Sequence, residues 1–292
     1  MTHAAANAMR PEFERTPVLP AGFGDIEQPR PIAAKVWGNE AVRKFSIVLV
    51  LAAAWQIGSK YYSNNLAFPS FIETFEALWD NLASLDILKA TWSSLKLLSL
   101  GYAIGVVLAC ALSILATFTR IGRDILETLT AMFSPLPAIA LVPLALMWFG
   151  LGSPKAMIFV LIHSVLWPVA LNMHSGFRSS GTTLRMVGRN YGLGPFRFVA
   201  MILIPASFAA ILTGLKIGWA FAWRTLIAAE LVFGVNGDQG GLGWFIFSAK
   251  NTMDTPAVFA GLLMVIVIGL LVENLVFRTI EHRTVRKWGM QS

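Results

Sequence analysis

The chain has 292 residues, 56% of them apolar and 13% charged, with a mean hydropathy of +0.64. Soluble domains carry roughly 25% charged residues, so this chain has about half the charge needed to cover a water-facing surface. That composition excludes a soluble enzyme with a polar exterior and a disordered chain, and the single Cys110 excludes a disulfide scaffold. The net charge of +7 reads as basic loops on the inner side of a bilayer, with no nucleic-acid partner.

Residues 1–42 hold Pro11, Pro17, Pro20, Pro29 and Pro31 among charges and small residues, and are expected to form a disordered cytoplasmic tail. The first apolar run begins at Phe45, too far in for the charged leader of a secretory signal, so it reads as an uncleaved span anchored by Arg43-Lys44. Apolar runs at about 43–61, 93–117, 126–149, 156–175, 205–233 and 256–277 predict six transmembrane helices. Each approaches the roughly 20 residues that cross a bilayer core. Together they make an all-α membrane domain over 43–280, followed by a cytoplasmic tail at 281–292.

Charge orients these spans. The N-terminal tail, the loops after spans two and four, and the C-terminus hold sixteen Lys and Arg, against five on the opposite side: Lys60, Lys89, Lys96, Lys155 and Lys250. By the positive-inside rule both termini are cytoplasmic. On the outer side, a helix is expected at Phe71 to Leu82, and an amphipathic segment at Leu242 to Ala249 follows the glycines 237, 240, 241 and 243. Pro135, Pro137 and Pro143 crowd span three and Pro168 interrupts span four, marking broken or kinked helices that either line a cavity or merely bend. Gly101/Gly105 and Gly214/Gly218 form Gly-x-x-x-Gly pairs, for which packing inside one bundle is favoured over a dimer seam.

Catalytic chemistry is missing. A phosphate loop needs Gly-x-x-x-x-Gly-Lys-Ser/Thr, and no Lys here precedes Ser or Thr. His3, His163, His174 and His282 have no metal-ligand spacing with one another or with Cys110. No metal, cofactor or ATP hydrolysis is therefore expected. His163 and His174 in span four are proton-relay candidates, but packed histidines are favoured.

The loop after span four reads TTLRMVGRNYGLGPFRFVAMILIP from Thr182 to Pro205: a short helix to about Asn190, a turn at Gly192-Leu193-Gly194-Pro195, and a second stretch entering span five. This helix-turn-helix elbow resembles the cytoplasmic signature of bacterial ABC importer permeases, in particular the nitrate, sulfonate, taurine and bicarbonate group. That signature is Glu-Ala-Ala, three residues, Gly, nine residues, then Ile-x-Leu-Pro. Gly192, Ile202 and Ile204-Pro205 take its later positions, while Met186, Val187 and Gly188 replace Glu-Ala-Ala. Further matches run from about 66 to 288. They are Leu66 to Ser70, Ser134-Pro135-Leu136-Pro137 to Pro143-Leu144, Trp148 to Gly152, Ala222-Trp223-Arg224, Ala228-Ala229-Glu230 and Gly241-Leu242-Gly243.

The resemblance implies a type I ABC importer permease fold in a bacterial inner membrane, without its own ATPase. It further implies cytoplasmic ABC ATPase subunits that receive a coupling loop at about 177–204, an extracytoplasmic solute-binding protein, and a second permease copy, by default a homodimer. Met186, Gly188, Arg189, Gly192, Leu193, Gly194 and Pro195 are the expected ATPase-coupling residues. The cargo class implied is a small anion of the sulfonate, nitrate, bicarbonate or organic acid type.

For the substrate pathway the candidates are Arg224, Glu230, Lys216 and His163. An intramembrane charge normally faces an aqueous cavity or a partner. Lys216 and Arg224 are eight residues apart, about 80° around a helix, and can share a face, whereas Glu230 lies about 240° beyond Arg224. Two readings of Arg224 stand side by side: it attracts an anion in the pathway, or it pairs with Glu230 or Glu273. The rival class is a secondary transporter working without an ATPase, for which Glu230 and Glu273 are the available carboxylates.

Overall fold

The computed structural model describes residues 38–62, 68–233 and 240–287. All regular elements among them are helical, and the chain divides into two compact units, 1–54 and 55–292. Most of the expected N-terminal tail, and residues 288–292 of the expected C-terminal one, lie outside the described residues.

In the first unit, helix α1 (Glu40–Tyr62) starts where the Asn39 side chain accepts from the Ala41 N–H at 3.0 Å, and Lys44 pairs with Glu40 at 2.6 Å. The rest of α1 belongs to the second unit. There the Trp55 indole donates to the Pro69 carbonyl at 3.0 Å, and its ring packs against Phe68, Phe71 and Phe259. Helix α2 (Phe71–Ala83) is held by a capping box: Ser70 Oγ accepts from the Glu73 N–H, and Glu73 Oε2 from the Ser70 N–H. That exchange satisfies two otherwise orphaned donors.

Helix α3 (Asp86–Phe118) begins seven residues before the predicted run, after Leu85 turns the chain in the left-handed region at φ 65°. Thr119 ends it and caps α4 (Arg120–Phe133) by accepting from the Gly122 N–H at 2.9 Å. The chain breaks at 134–137, bends by 87°, and resumes through a 3-10 turn, Ala138–Leu141, into α5 (Val142–Phe149). Next come α6 (Pro154–Ser179), α7 (Thr182–Asn190) and α8 (Pro195–Phe198), which runs through a π turn into α9 (Ile204–Ala206). After an 81° bend, α10 (Phe208–Phe233) follows, then α11 (Leu242–Asn251) and α12 (Thr255–Leu271), whose helix continues through α13 (Arg278–Glu281) to Arg286.

Four helical stretches are long and apolar enough to cross a membrane alone, and the two bent pairs bring the number to six. The predicted run at 205–233 is corrected at its start, because residues 195–206 fold away from α10. Of the break or kink expected at Pro168, the break is corrected: α6 is continuous through it. Proline removes the intrahelical donor for the Ser164 carbonyl. The helix stays continuous, packed along its length by α3 and α10.

Helix α6 is the hub, with α3 and α10 packed along it. Both Gly-x-x-x-Gly pairs face it. A Cβ on Gly101 would sit 2.7 Å from Leu161, one on Gly105 2.8 Å from Val165, one on Gly214 2.8 Å from Asn172, and one on Gly218 2.9 Å from Val169. Lipid tails are as apolar as Leu, so association rests on this close packing, as dispersion contacts that larger side chains would forbid. Leu98, Leu161, Val165, Ala222 and Leu226 form the core between the three helices.

Candidate functional site: a cavity at the broken helix

Pro135 and Pro137 cannot donate helical hydrogen bonds, and α4 stops at Phe133, with Ser134 still in the helical region as its cap. At this break a cavity of about 550 Å³ opens between residues 134–139, α6 and α10. Helix α10 supplies Phe221, Arg224, Thr225 and Ala228, whose spacing of three, four and seven residues from the first places them on one face. Helix α6 supplies His163, Ser164, Trp167, Leu171 and Asn172.

Arg224 is the one Lys, Arg, Asp or Glu side chain lining this cavity; it is exposed, and no carboxylate among the described residues lies within ion-pair distance of it. Trp167 stacks on Phe133, with ring centroids 5.7 Å apart and 9° between planes, and His163 meets both rings edge-on. Trp167 is 7% exposed, and its buried indole nitrogen has no hydrogen-bond partner among the described residues. Of the four expected pathway residues, the cavity therefore brings together Arg224 and His163. Trp167 and Phe221 escaped the sequence reading, although Trp167 follows His163 by one helical turn and Phe221 precedes Arg224 by nearly one.

The other two lie elsewhere. Lys216 meets Glu281 at 2.7 Å and Glu273 at 3.6 Å, which ties α10 to the C-terminal helix. Glu230 is 2% exposed and lies about 120° around α10 from Arg224, away from the cavity lining. The Ser94 hydroxyl lies 2.8 and 2.9 Å from its two oxygens, the Gly243 N–H donates to Oε2 at 2.9 Å, and the Leu242 N–H donates to Ser94 Oγ at 2.8 Å. A Cβ on Gly241 would fall 2.0 Å from Oε1, so only glycine lets the backbone close over the carboxylate. Glu230 thus latches α3, α10 and the start of α11 together, and backs the helix that carries Arg224. Neither carboxylate proposed to pair with Arg224 does so here.

Beyond the C-terminal end of α6, the elbow between α7 and α9 turns at Gly192, whose φ of +63° suits glycine. The Leu193 N–H returns to the Gly188 carbonyl at 3.1 Å, and the Phe198 N–H to the Gly194 carbonyl at 2.8 Å, so Leu193, Gly194 and Pro195 form the bend itself. Gly188 is buried, and a Cβ there would lie 2.6 Å from the Phe198 ring. This gives a steric reason for Gly at that position. Met186, Tyr191 and Phe196 point outward, at 62%, 79% and 83% exposure. The Arg185 guanidinium donates to the Phe177 carbonyl at 2.6 Å and fastens the elbow to α6. The side chain of Arg189 lies outside the described residues.

Known proteins share this arrangement of sequence. A nitrate import permease protein of Synechocystis is 27% identical over 82% of this chain and 88% of its own length. The taurine transport system permease protein of Escherichia coli is 26% identical, covering 82% and 86%. A Methanocaldococcus jannaschii protein provisionally named as an ABC transporter permease is 29% identical, covering 83% and 91%. The family described as binding-protein-dependent transport system inner membrane component matches residues 101–284, from the middle of α3 through the cavity, the elbow and the Glu230 latch. The chain therefore belongs to that family, as a multi-pass inner-membrane transport component.

Proposed function

We propose that this chain is the permease subunit of an ATP-driven importer that carries a small organic or inorganic anion into the cytoplasm. The observation that carries the reading is the cavity whose one strongly charged lining side chain is Arg224, without a carboxylate partner among the described residues. A guanidinium at membrane depth requires water or an anion, and a substrate carboxylate, sulfonate or nitrate supplies the anion with bidentate geometry.

The elbow supports the coupling half of the proposal. It is rigidly turned and tied to α6, and it presents Met186, Tyr191 and Phe196 to a partner. In this reading it docks into a cytoplasmic ABC ATPase subunit and both termini are cytoplasmic. An extracytoplasmic solute-binding protein delivers the cargo, and a second copy of the chain, in the surrounding lipid, completes the pathway. The relative named for nitrate supports an anionic cargo, and taurine, the cargo in the name of another, is a zwitterion that carries a sulfonate.

The test is uptake into proteoliposomes holding the permease, its ATPase and its binding protein. Arg224→Gln keeps much of the side-chain length and some donors but removes the charge. Uptake should fall at least tenfold while assembly and basal ATP hydrolysis persist, and full uptake by the variant would overturn the anion pathway.

A further inference from the structure

The volume and walls of the cavity say more about its occupant than its charge does. It measures about 550 Å³, within the roughly 300–1,000 Å³ typical of sites for drug-sized ligands. At roughly 30 Å³ per heavy atom, the liquid-water value, a four-atom inorganic anion fills about a fifth of that space. The rest would be water against Leu136, Leu171 and Phe221, each a lining side chain at least 36% exposed. Wetting such walls forfeits the apolar burial they offer.

Among the lining side chains Arg224 alone offers a charged fork. That fork suits a single anionic head, and the Phe221 ring, 47% exposed in the cavity wall, suits a flat apolar body.

Resting on the anion-pathway reading above, we infer that the cargo is an organic monoanion with a flat, aromatic-sized apolar body. Its carboxylate or sulfonate head meets Arg224, and its body lies on Phe221.

The probes are radiolabelled 4-toluenesulfonate and methanesulfonate, which share a head and differ in the ring, with uncharged 4-toluenesulfonamide as competitor. Equilibrium binding is measured on the full chain in lipid nanodiscs. 4-Toluenesulfonate should bind saturably, and methanesulfonate and nitrate should displace it at least tenfold more weakly. Phe221→Leu should weaken 4-toluenesulfonate about five- to tenfold and leave methanesulfonate unchanged, with the unfolding midpoint showing that the variant is folded.

Equal binding of the two sulfonates, no effect of Phe221→Leu, or no saturable binding of 4-toluenesulfonate would overturn the aromatic assignment. Failure of the underlying reading looks different: the sulfonamide would compete as well as the sulfonate, or Arg224→Gln would leave sulfonate binding intact.

Discussion

Removal of the Ser94 hydroxyl is the sharpest perturbation of the Glu230 latch. In Ser94→Ala the carboxylate loses the donor that reaches both its oxygens, and the Leu242 N–H loses its acceptor, in a place where Ser94 is fully buried and Glu230 is 2% exposed. Hydrogen bonds between membrane helices average only about 0.6 kcal/mol when the unfolded reference finds other partners. That average does not govern here, because both orphaned groups stay packed under Gly241 and Gly243, where a stranded polar group costs about 1–3 kcal/mol. The sum is about 3 kcal/mol against the closed position of the start of α11. At 1.36 kcal/mol per decade this is on the order of a 100-fold faster opening equilibrium. Amide hydrogen exchange of the peptide covering 240–251, in nanodiscs, reads it directly, with the centre of α6 as the internal control. In the double variant Ser94→Ala, Glu230→Ala the loss should be smaller than the sum of the single losses, because the two share one hydrogen bond. Exchange within threefold of the parent, or strict additivity, would refute the latch.

Three further outcomes follow from named contacts. Gly188→Val places methyl groups where the Phe198 ring already lies 2.6 Å from a bare Cβ, so it should cost about 1–3 kcal/mol by overpacking and reduce co-purification of the ATPase, while adding Phe198→Ala should restore both. Gly101→Val should lower the detergent unfolding midpoint, and Leu161→Gly should recover part of the loss by removing the Leu161 Cβ, the atom nearest the added group at 2.7 Å; an unchanged midpoint in the single variant would remove the close-packed seam between α3 and α6. Tyr191→Cys, in a background with Cys110→Ala, presents a thiol at a position 79% exposed; an impermeant maleimide should label it in inverted membrane vesicles and not in intact cells, and the reverse pattern would invert the proposed topology.

What was legible in the sequence was local. Hydropathy located the apolar segments because a bilayer demands about 20 apolar residues wherever it is crossed. The prolines at 135 and 137 announced the break at 134–137, since a missing N–H acts within one turn of itself. The spacing around Gly192 announced the elbow, because a left-handed turn needs a residue without a Cβ. Phe221, Arg224 and Thr225 share a face by helical period alone, so one wall of the cavity was implicit in α10.

The tertiary structure decided everything that depends on a partner distant in the chain. Lys216 and Arg224 have the spacing to share a pathway, yet Glu281, 65 residues on, claims Lys216 and leaves Arg224 to the cavity. Glu230 has the look of a transport carboxylate, but Ser94, 136 residues earlier, and the backbone of Gly243 turn it into a structural latch. Pro168 has the look of a helix break, but the packing of α3 and α10 on α6 keeps that helix whole. A residue's periodicity says which way it points along its own helix. Which group meets it there depends on how the helices pack, and for a charge on a membrane helix that meeting decides between facing a cavity and holding the fold.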